Sequence, residues 1–127
     1  LKYDNENIKL VNDKRVYMDG RKNLIQRCLN NILDNSIKYS KKINIQLTKS
    51  NNYIVITIDD DGPGIPEDEY SNVFKPFYKI DKSRGESKSS VGLGMSIASD
   101  VVKSHGGNIT LDKSPQNGLR VRVLFPF

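Results

Sequence analysis

Residues 53–66 read YIVITIDDDGPGIP, and the character of the chain changes half-way through that run. Tyr53–Ile58 alternates and is rich in β-branched residues, the pattern of a strand with one face on a core. Asp59-Asp60-Asp61-Gly62-Pro63-Gly64-Ile65-Pro66 is expected to leave the sheet, since three carboxylates followed by glycine and proline suit a turn. Pro66 with Glu67, Asp68 and Glu69 predicts a short helix, whose first turn favours acids. Upstream, 43–48 (INIQLT) alternates in the same way, and Ser50-Asn51-Asn52 joins the two strands as a hairpin.

Further out on the N-terminal side, Leu24/Ile25, Cys28/Leu29, Ile32/Leu33 and Ser36/Ile37 recur every four residues. That spacing predicts one amphipathic helix over about 21–39. Before it, 8–11 (IKLV) and 15–18 (RVYM) suggest two short strands around Asn12-Asp13-Lys14. On the C-terminal side, 79–91 (KIDKSRGESKSSV) has no apolar period and is expected to be a mobile loop. A second helix should follow Gly92, with Leu93, Ile97 and Val101 four apart, and should stop at His105-Gly106-Gly107. Strands at 108–112 (NITLD) and 119–125 (LRVRVLF) flank the turn 114–118. The sum is about six strands and two or three helices, an α+β chain with helices on one face of a mostly antiparallel sheet. No repeat or linker divides it, so residues 1–127 are expected to form one domain.

Composition narrows the function. A chain of 127 residues with 36% hydrophobic and 28% charged residues suits one soluble globular domain. No apolar run approaches the roughly 20 residues that span a bilayer. The chain opens on Leu1, which suggests a piece of something longer, so a membrane-anchored parent is compatible with it. The net charge is +5, but acid and base alternate in blocks: Asp59, Asp60, Asp61, Glu67, Asp68 and Glu69, then Lys75, Lys79, Lys82, Arg84 and Lys88. A nucleic-acid binder spreads its base over a face and interleaves aromatics, so no nucleic-acid partner is expected. One cysteine, Cys28, and one histidine, His105, exclude an internal disulfide, a cysteine zinc cluster and a histidine-rich metal site. A reducing compartment, the cytosol, follows from the cysteine usage.

Four clusters carry chemistry. Asn31 and Asn35 stack one turn apart beside the apolar stripe, with Lys38 and Tyr39 close by; two amides next to an ammonium suit a hard cation and its phosphates, or are merely a wet helix face. Asp60-x-Gly62-x-Gly64 places a carboxylate at the root of a flexible turn, where it can accept a hydrogen bond from an exocyclic amine; an ordinary Gly/Pro turn would look the same. Gly92-Leu93-Gly94 precedes a helix whose free N–H groups suit an anion, although many helices start so. Phe74-Lys75-Pro76-Phe77 offers two aromatics fixed by a proline, which a core also uses.

The order and spacing of these clusters resemble the N, G1, F and G2 boxes of sensor histidine kinases, over essentially the whole chain: NNILDNSIKYS, DDDGPGIP, VFKPFYKIDKSR and VGLGMSIASDVVKSHGG. The likeness looks greatest to the EnvZ-type osmosensor branch. It implies the two-layer α/β sandwich of the GHKL (Bergerat) superfamily, with ATP between helix and lid. Carried over residue by residue, it implies that Asn35, with Asn31 alongside, holds Mg²⁺ against the ATP phosphates. Lys38 faces the phosphates and Tyr39 lies against the adenine. Asp60 takes the adenine amine, and Gly62, Gly64 and Ile65 line the base pocket. Lys79 and Arg84 reach the triphosphate from a lid at about 79–91, anchored by Phe74 and Phe77, and Gly92, Leu93 and Gly94 close over the phosphates. Met95 stands where leucine is usual, a mild change.

The same resemblance implies a partner, because such a kinase phosphorylates a histidine on a dimerisation domain that this chain lacks. It implies a response regulator beyond that, and a parent in a bacterial inner membrane with this domain in the cytoplasm. His105 is expected to cap its helix rather than to accept phosphate. Gyrase- and chaperone-type ATPases share the fold and use a Glu four residues before the metal-binding Asn as base on water. Here that position is Asn31, which cannot accept a proton at useful pH, and Asp34 points about 100° away round the helix. An anti-sigma serine kinase is disfavoured by the same position. Transfer to a supplied nucleophile is therefore expected, with no general base in this chain. The other alternative is a degenerate module that binds nucleotide without catalysis.

Overall fold

In a computed structural model the described residues are 8–10, 21–76 and 94–126, with backbone alone at 8–10. The 53–66 stretch corrects one expectation immediately. Strand β3 runs Tyr53–Asp60, so two of the three aspartates stay in the sheet. They can stay because each is answered. Asp59 lies opposite Asn44 and Arg120, and the Arg120 guanidinium donates through Nε (2.7 Å) and Nη2 (3.0 Å) to its two oxygens. Such a bidentate pair offsets the cost of a buried carboxylate on a strand. Only Asp61 leaves the ladder.

Strand β2, Ile43–Lys49, forms the expected antiparallel hairpin with β3, and Ser50 closes the turn through Tyr53. Strands β4 (Asn108–Lys113) and β5 (Leu119–Pro126) form the second hairpin, and β5 also pairs with β3. β1, Ile8–Leu10, adds to the far edge of β2 in parallel. The sheet order is β1-β2-β3-β5-β4, mixed but mostly antiparallel. The expected hairpin partner at 15–18 lies outside the described residues.

Helix α1 spans Lys22–Tyr39 and helix α2 spans Gly94–Ser104. Strict alternation on β5 sends Leu119, Val121, Val123 and Phe125 inward to one shared core with Cys28, Ile32 and Leu33 of α1 and Ala98, Val101 and Val102 of α2. Arg120 and Arg122 face the other way. The Cys28 thiol donates to the Ala98 carbonyl, and burial pushes its pKa up to about 12, so it serves packing rather than reactivity. The acidic Glu67–Glu69 stretch makes a single 3₁₀ turn, followed by another at Asn72–Phe74.

α2 ends as the His-Gly-Gly signal predicts. Gly106 takes a φ of +76°, Gly107 N–H reaches the Val102 carbonyl and Gly106 N–H the Lys103 carbonyl, a Schellman cap. His105 does more than stop the helix. Its Nδ1 sits 2.8 Å from the Val101 carbonyl, its Nε2 accepts the Arg21 N–H at 3.0 Å, and its ring meets Phe125 edge-on. It thus ties the end of α2 to the start of α1, a role that leaves no free ring nitrogen for phosphate.

Candidate nucleotide site

Asp60 is the fixed point. At 5% exposure it is a buried carboxylate at the last position of β3, and its Oδ1 accepts two backbone N–H groups, from Gly62 (2.9 Å) and Leu119 (3.0 Å). Both donors fall on the same oxygen, so that among the described residues Oδ2 keeps its capacity to accept a further hydrogen bond. Burial pushes the Asp60 pKa above the usual carboxylate range; the two N–H donors counter this in part, and Asp61 and Asp59 reinforce it.

Asp61 turns the other way. Its Oδ1 accepts the N–H groups of Lys41 (2.8 Å) and Lys42 (3.0 Å), and its own N–H reaches the Lys42 carbonyl. Those donors hold its pKa below the ordinary value. The contacts lash the glycine turn to the end of α1. A Cβ added at Gly62 would stand 2.8 Å from the Tyr39 carbonyl, so glycine is needed there for close approach. Gly64 takes a φ of +74° and lies against the Asn117 and Gly118 carbonyls. Ile65 and Phe74 pack on the edge of the core.

On α1, Asn31 and Asn35 are half-buried while Lys38 and Tyr39 are exposed. The Lys38 Nζ stands 5.5 Å from the Tyr39 ring centre. Asn31 Nδ2 is buried with no hydrogen-bond partner among the described residues. Gly94, the first residue of α2, packs against Asn31: a Cβ there would be 3.8 Å from its carbonyl and 3.9 Å from its Cβ. The expected clusters therefore meet around the C-terminal half of α1, the G1 turn at Tyr39 and the G2 glycine at Asn31. Phe77, Lys79, Arg84, Gly92 and Leu93, and with them the lid at 79–91, lie outside the described residues.

A magnesium ion can be tested against this face. Among the described residues no group of three or more His, Cys, Asp or Glu could hold a metal. The amide oxygens of Asn35 and Asn31 suit a different arrangement, in which a hard cation brings phosphate and water oxygens with it and takes only an amide oxygen from the protein, while the orphaned Asn31 Nδ2 is a donor for a phosphate oxygen. The residues fit that arrangement.

Sequence reasoning missed two residues, Ser114 and Gly118. Ser114 is buried, its Oγ donating to the Asp60 carbonyl (2.6 Å) and accepting the Gly118 N–H (2.9 Å). Their only signal was a turn-forming Ser-Pro-Gln-Asn-Gly, with nothing to connect it to Asp60.

The family model for histidine kinase-, DNA gyrase B- and HSP90-like ATPases matches residues 20–127. The chain belongs to that family. It is an ATP-binding domain, and its relatives are sensor histidine kinases. It is 35% identical to the sensor histidine kinase GtrS of Pseudomonas aeruginosa over 84% of this chain and 22% of that protein. CpxA of Escherichia coli K12 is 34% identical over 84% of the chain and 24% of the relative, and WalK of Bacillus subtilis 31% over 96% and 21%. The chain thus spans a fifth to a quarter of the length of these relatives. Among solved structures, the ATP-binding domain of PrrB from Mycobacterium tuberculosis superposes with a TM-score of 0.78 at 25% identity, covering 98% of this chain and 82% of that one. The mycobacterial sensor histidine kinase MprB gives 0.74 at 28%, covering 84% and 72%.

Proposed function

We propose that this domain binds Mg-ATP and transfers its γ-phosphoryl group to a histidine on a separate dimerisation domain of a two-component sensor kinase. The observation that carries the choice of transfer over hydrolysis is the side chain one turn before Asn35. It is Asn31, an amide packed against Gly94, and it cannot act as a base on water. Asp34 is exposed and on another side of the helix.

Asp60 accepts the adenine amine and Tyr39 lies against the ring, while Gly62, Gly64 and Ile65 shape the pocket. Asn35 and Asn31 hold Mg²⁺ with the phosphates, and Mg²⁺ supplies charge neutralisation at the γ-phosphoryl. Lys38 offers a cation to the same phosphates, joined by Lys79 and Arg84 from the 79–91 segment, with Gly92, Leu93 and Gly94 against them. The chain positions and neutralises; the attacking nitrogen belongs to the partner. Residues 1–127 act as one domain, and a response regulator receives the phosphoryl group from the full-length kinase. The parent is a bacterial inner-membrane sensor with this domain on the cytoplasmic side. Among the described residues no helix is long and apolar enough to cross a membrane. Placement in the osmosensor branch rests on the motif text.

Labelled ATP tests this directly. The chain alone should bind it without labelling itself, and adding a dimerisation domain should give acid-labile phosphohistidine on that domain. Steady release of phosphate without any labelled histidine would point to the ATPase alternative. Binding with neither outcome would point to a degenerate module.

A further inference from the structure

We propose that the turn joining β4 to β5, residues 114–118, is part of the base-recognition site: it clamps Asp60 and thereby sets the preference for adenine. This rests on the reading of Asp60 as the acceptor of the adenine amine.

The clamp shows in how the sheet ends. The β3–β5 ladder stops at Asp59 opposite Arg120. One residue further the expected rung is rebuilt from other atoms: the Leu119 N–H goes to the Asp60 side chain, and the Asp60 carbonyl takes the Ser114 hydroxyl instead. The hairpin needs neither bond for its own closure, which Ser114 N–H to the Gly118 carbonyl and Asn117 N–H to the Ser114 carbonyl already provide. Ser114 Oγ is held in turn by the Gly118 N–H, so donor and acceptor roles of that hydroxyl are both filled. Gly118 lies flat on Asp60, where a Cβ would fall inside the contact radius of both its carbonyl and its Oδ1. The same turn meets Gly64 through the carbonyls of Asn117 and Gly118. Asn117 adopts a φ of +66° to allow it, a conformation that asparagine tolerates.

A carboxylate free to rotate could offer either oxygen, or swing away and let a guanine oxo group approach. One held at both its main-chain and side-chain oxygens presents a single acceptor in a single direction. Ser114 and Gly118 are positioning residues in this scheme, acting through Asp60.

Calorimetric affinities of the 127-residue chain for Mg-ATP and Mg-GTP test the assignment in five proteins: the parent, Ser114→Ala, Ser114→Thr, Gly118→Ala and Asp60→Asn. Ser114→Ala should lose roughly 3- to 10-fold in ATP affinity with little change for GTP, the scale of one buried hydrogen bond. Gly118→Ala should lose more, and Ser114→Thr, which keeps the hydroxyl, should recover most of the preference. The ATP:GTP ratio is the deciding readout, because partial unfolding lowers both affinities in proportion and leaves it unchanged. An unchanged ratio in Ser114→Ala, with the ratio collapsed in Asp60→Asn, overturns the clamp and leaves Asp60 as the base reader. An unchanged ratio in Asp60→Asn overturns the reading of Asp60 and the clamp with it. Should Gly118→Ala fail to fold, the pair of Ser114 variants decides alone.

Discussion

The two ends of the site are built on opposite principles. At the base end, Asp60 accepts two N–H groups at Oδ1 and one hydroxyl at its carbonyl, all supplied by strand ends and turns. At the phosphate end, α1 presents Asn31 with a buried nitrogen that has no partner among the described residues, and the exposed Lys38. One end is complete before a ligand arrives, and the other is completed by it. A preformed base pocket spends little ordering on recognition, whereas charge on a moving phosphoryl group is best met by groups that bond only when it is there.

Substitutions at the two ends should therefore fail differently. The largest effect is expected for Asn35→Ala, which should slow phosphoryl transfer in a complete kinase on the order of a hundredfold or more while weakening nucleotide binding much less. Tyr39→Ala should show the reverse, losing about 5- to 150-fold in binding, the scale of one base–aromatic stack, with less effect on the chemical step. Single-turnover rates at saturating ATP separate the two. If both variants changed binding and turnover in the same ratio, the division into a base end and a phosphate end would be wrong. Asp60→Asn comes next, with ATP affinity expected to fall roughly 5- to 150-fold for the loss of a buried acceptor.

A pH series sharpens the contrast within the base end. In the proposed role Asp60 accepts the adenine amine best as the carboxylate, and burial raises its pKa. ATP affinity should accordingly begin to fall at a pH above the range in which an ordinary aspartate titrates, and this limb should vanish in Asp60→Asn. Folding stability runs with the sign of each shift. For Asp60 the folded state holds its proton more tightly than the unfolded one, so its contribution declines as pH rises from the ordinary carboxylate range through the raised value. Asp61, lowered by the Lys42 and Lys41 N–H groups, contributes stability that is present above the ordinary range and lost as pH falls through its own lower value. A single common limb for affinity and stability would show that the two aspartates are not separately controlled.

Legibility from sequence follows the range of each interaction. The α1 stripe, both hairpins and the Schellman end of α2 are local patterns, and the structure matches them within a residue or two. The extension of β3 through Asp59 was not legible, since its warrant is Arg120, 61 residues away. Ser114 was hidden for the same reason, 54 residues from Asp60. The motif spacing pointed to Asp60, Gly62, Asn31 and Gly94 as neighbours through resemblance, not through any force that can be read along the chain. What the sequence could not reveal is which groups hold Asp60 still, because a turn looks alike whether it closes a hairpin or braces a carboxylate.

The smallest effect concerns α1 itself, which among the described residues carries three orphaned polar atoms, Asn30 Oδ1, Asn31 Nδ2 and Ser36 Oγ, the last two of different meaning. Ser36 is 2% exposed, faces the core, and its Oγ has no partner among the described residues; Asn31 Nδ2 is likewise orphaned, on the face that meets Gly94. A buried hydroxyl without a partner costs about 1–3 kcal/mol, and alanine is the better helix former, so Ser36→Ala should stabilise the chain by about 1 kcal/mol. Thermal unfolding should rise by about 3–5 °C for a domain of this size. The Ser40 hydroxyl, which donates to the Ser36 carbonyl, is untouched by the change. That gain should be the same with and without Mg-ATP, because no ligand reaches the core face. Asn31→Ala should behave otherwise, leaving the empty chain as stable as before or slightly more so, yet shrinking the shift in melting temperature that Mg-ATP produces. A drop in stability for Ser36→Ala would mean that its hydroxyl is satisfied within the helix, by the carbonyl one turn back. An undiminished Mg-ATP shift in Asn31→Ala would make the two orphans alike, and the phosphate end would lose the feature that distinguishes it from the core.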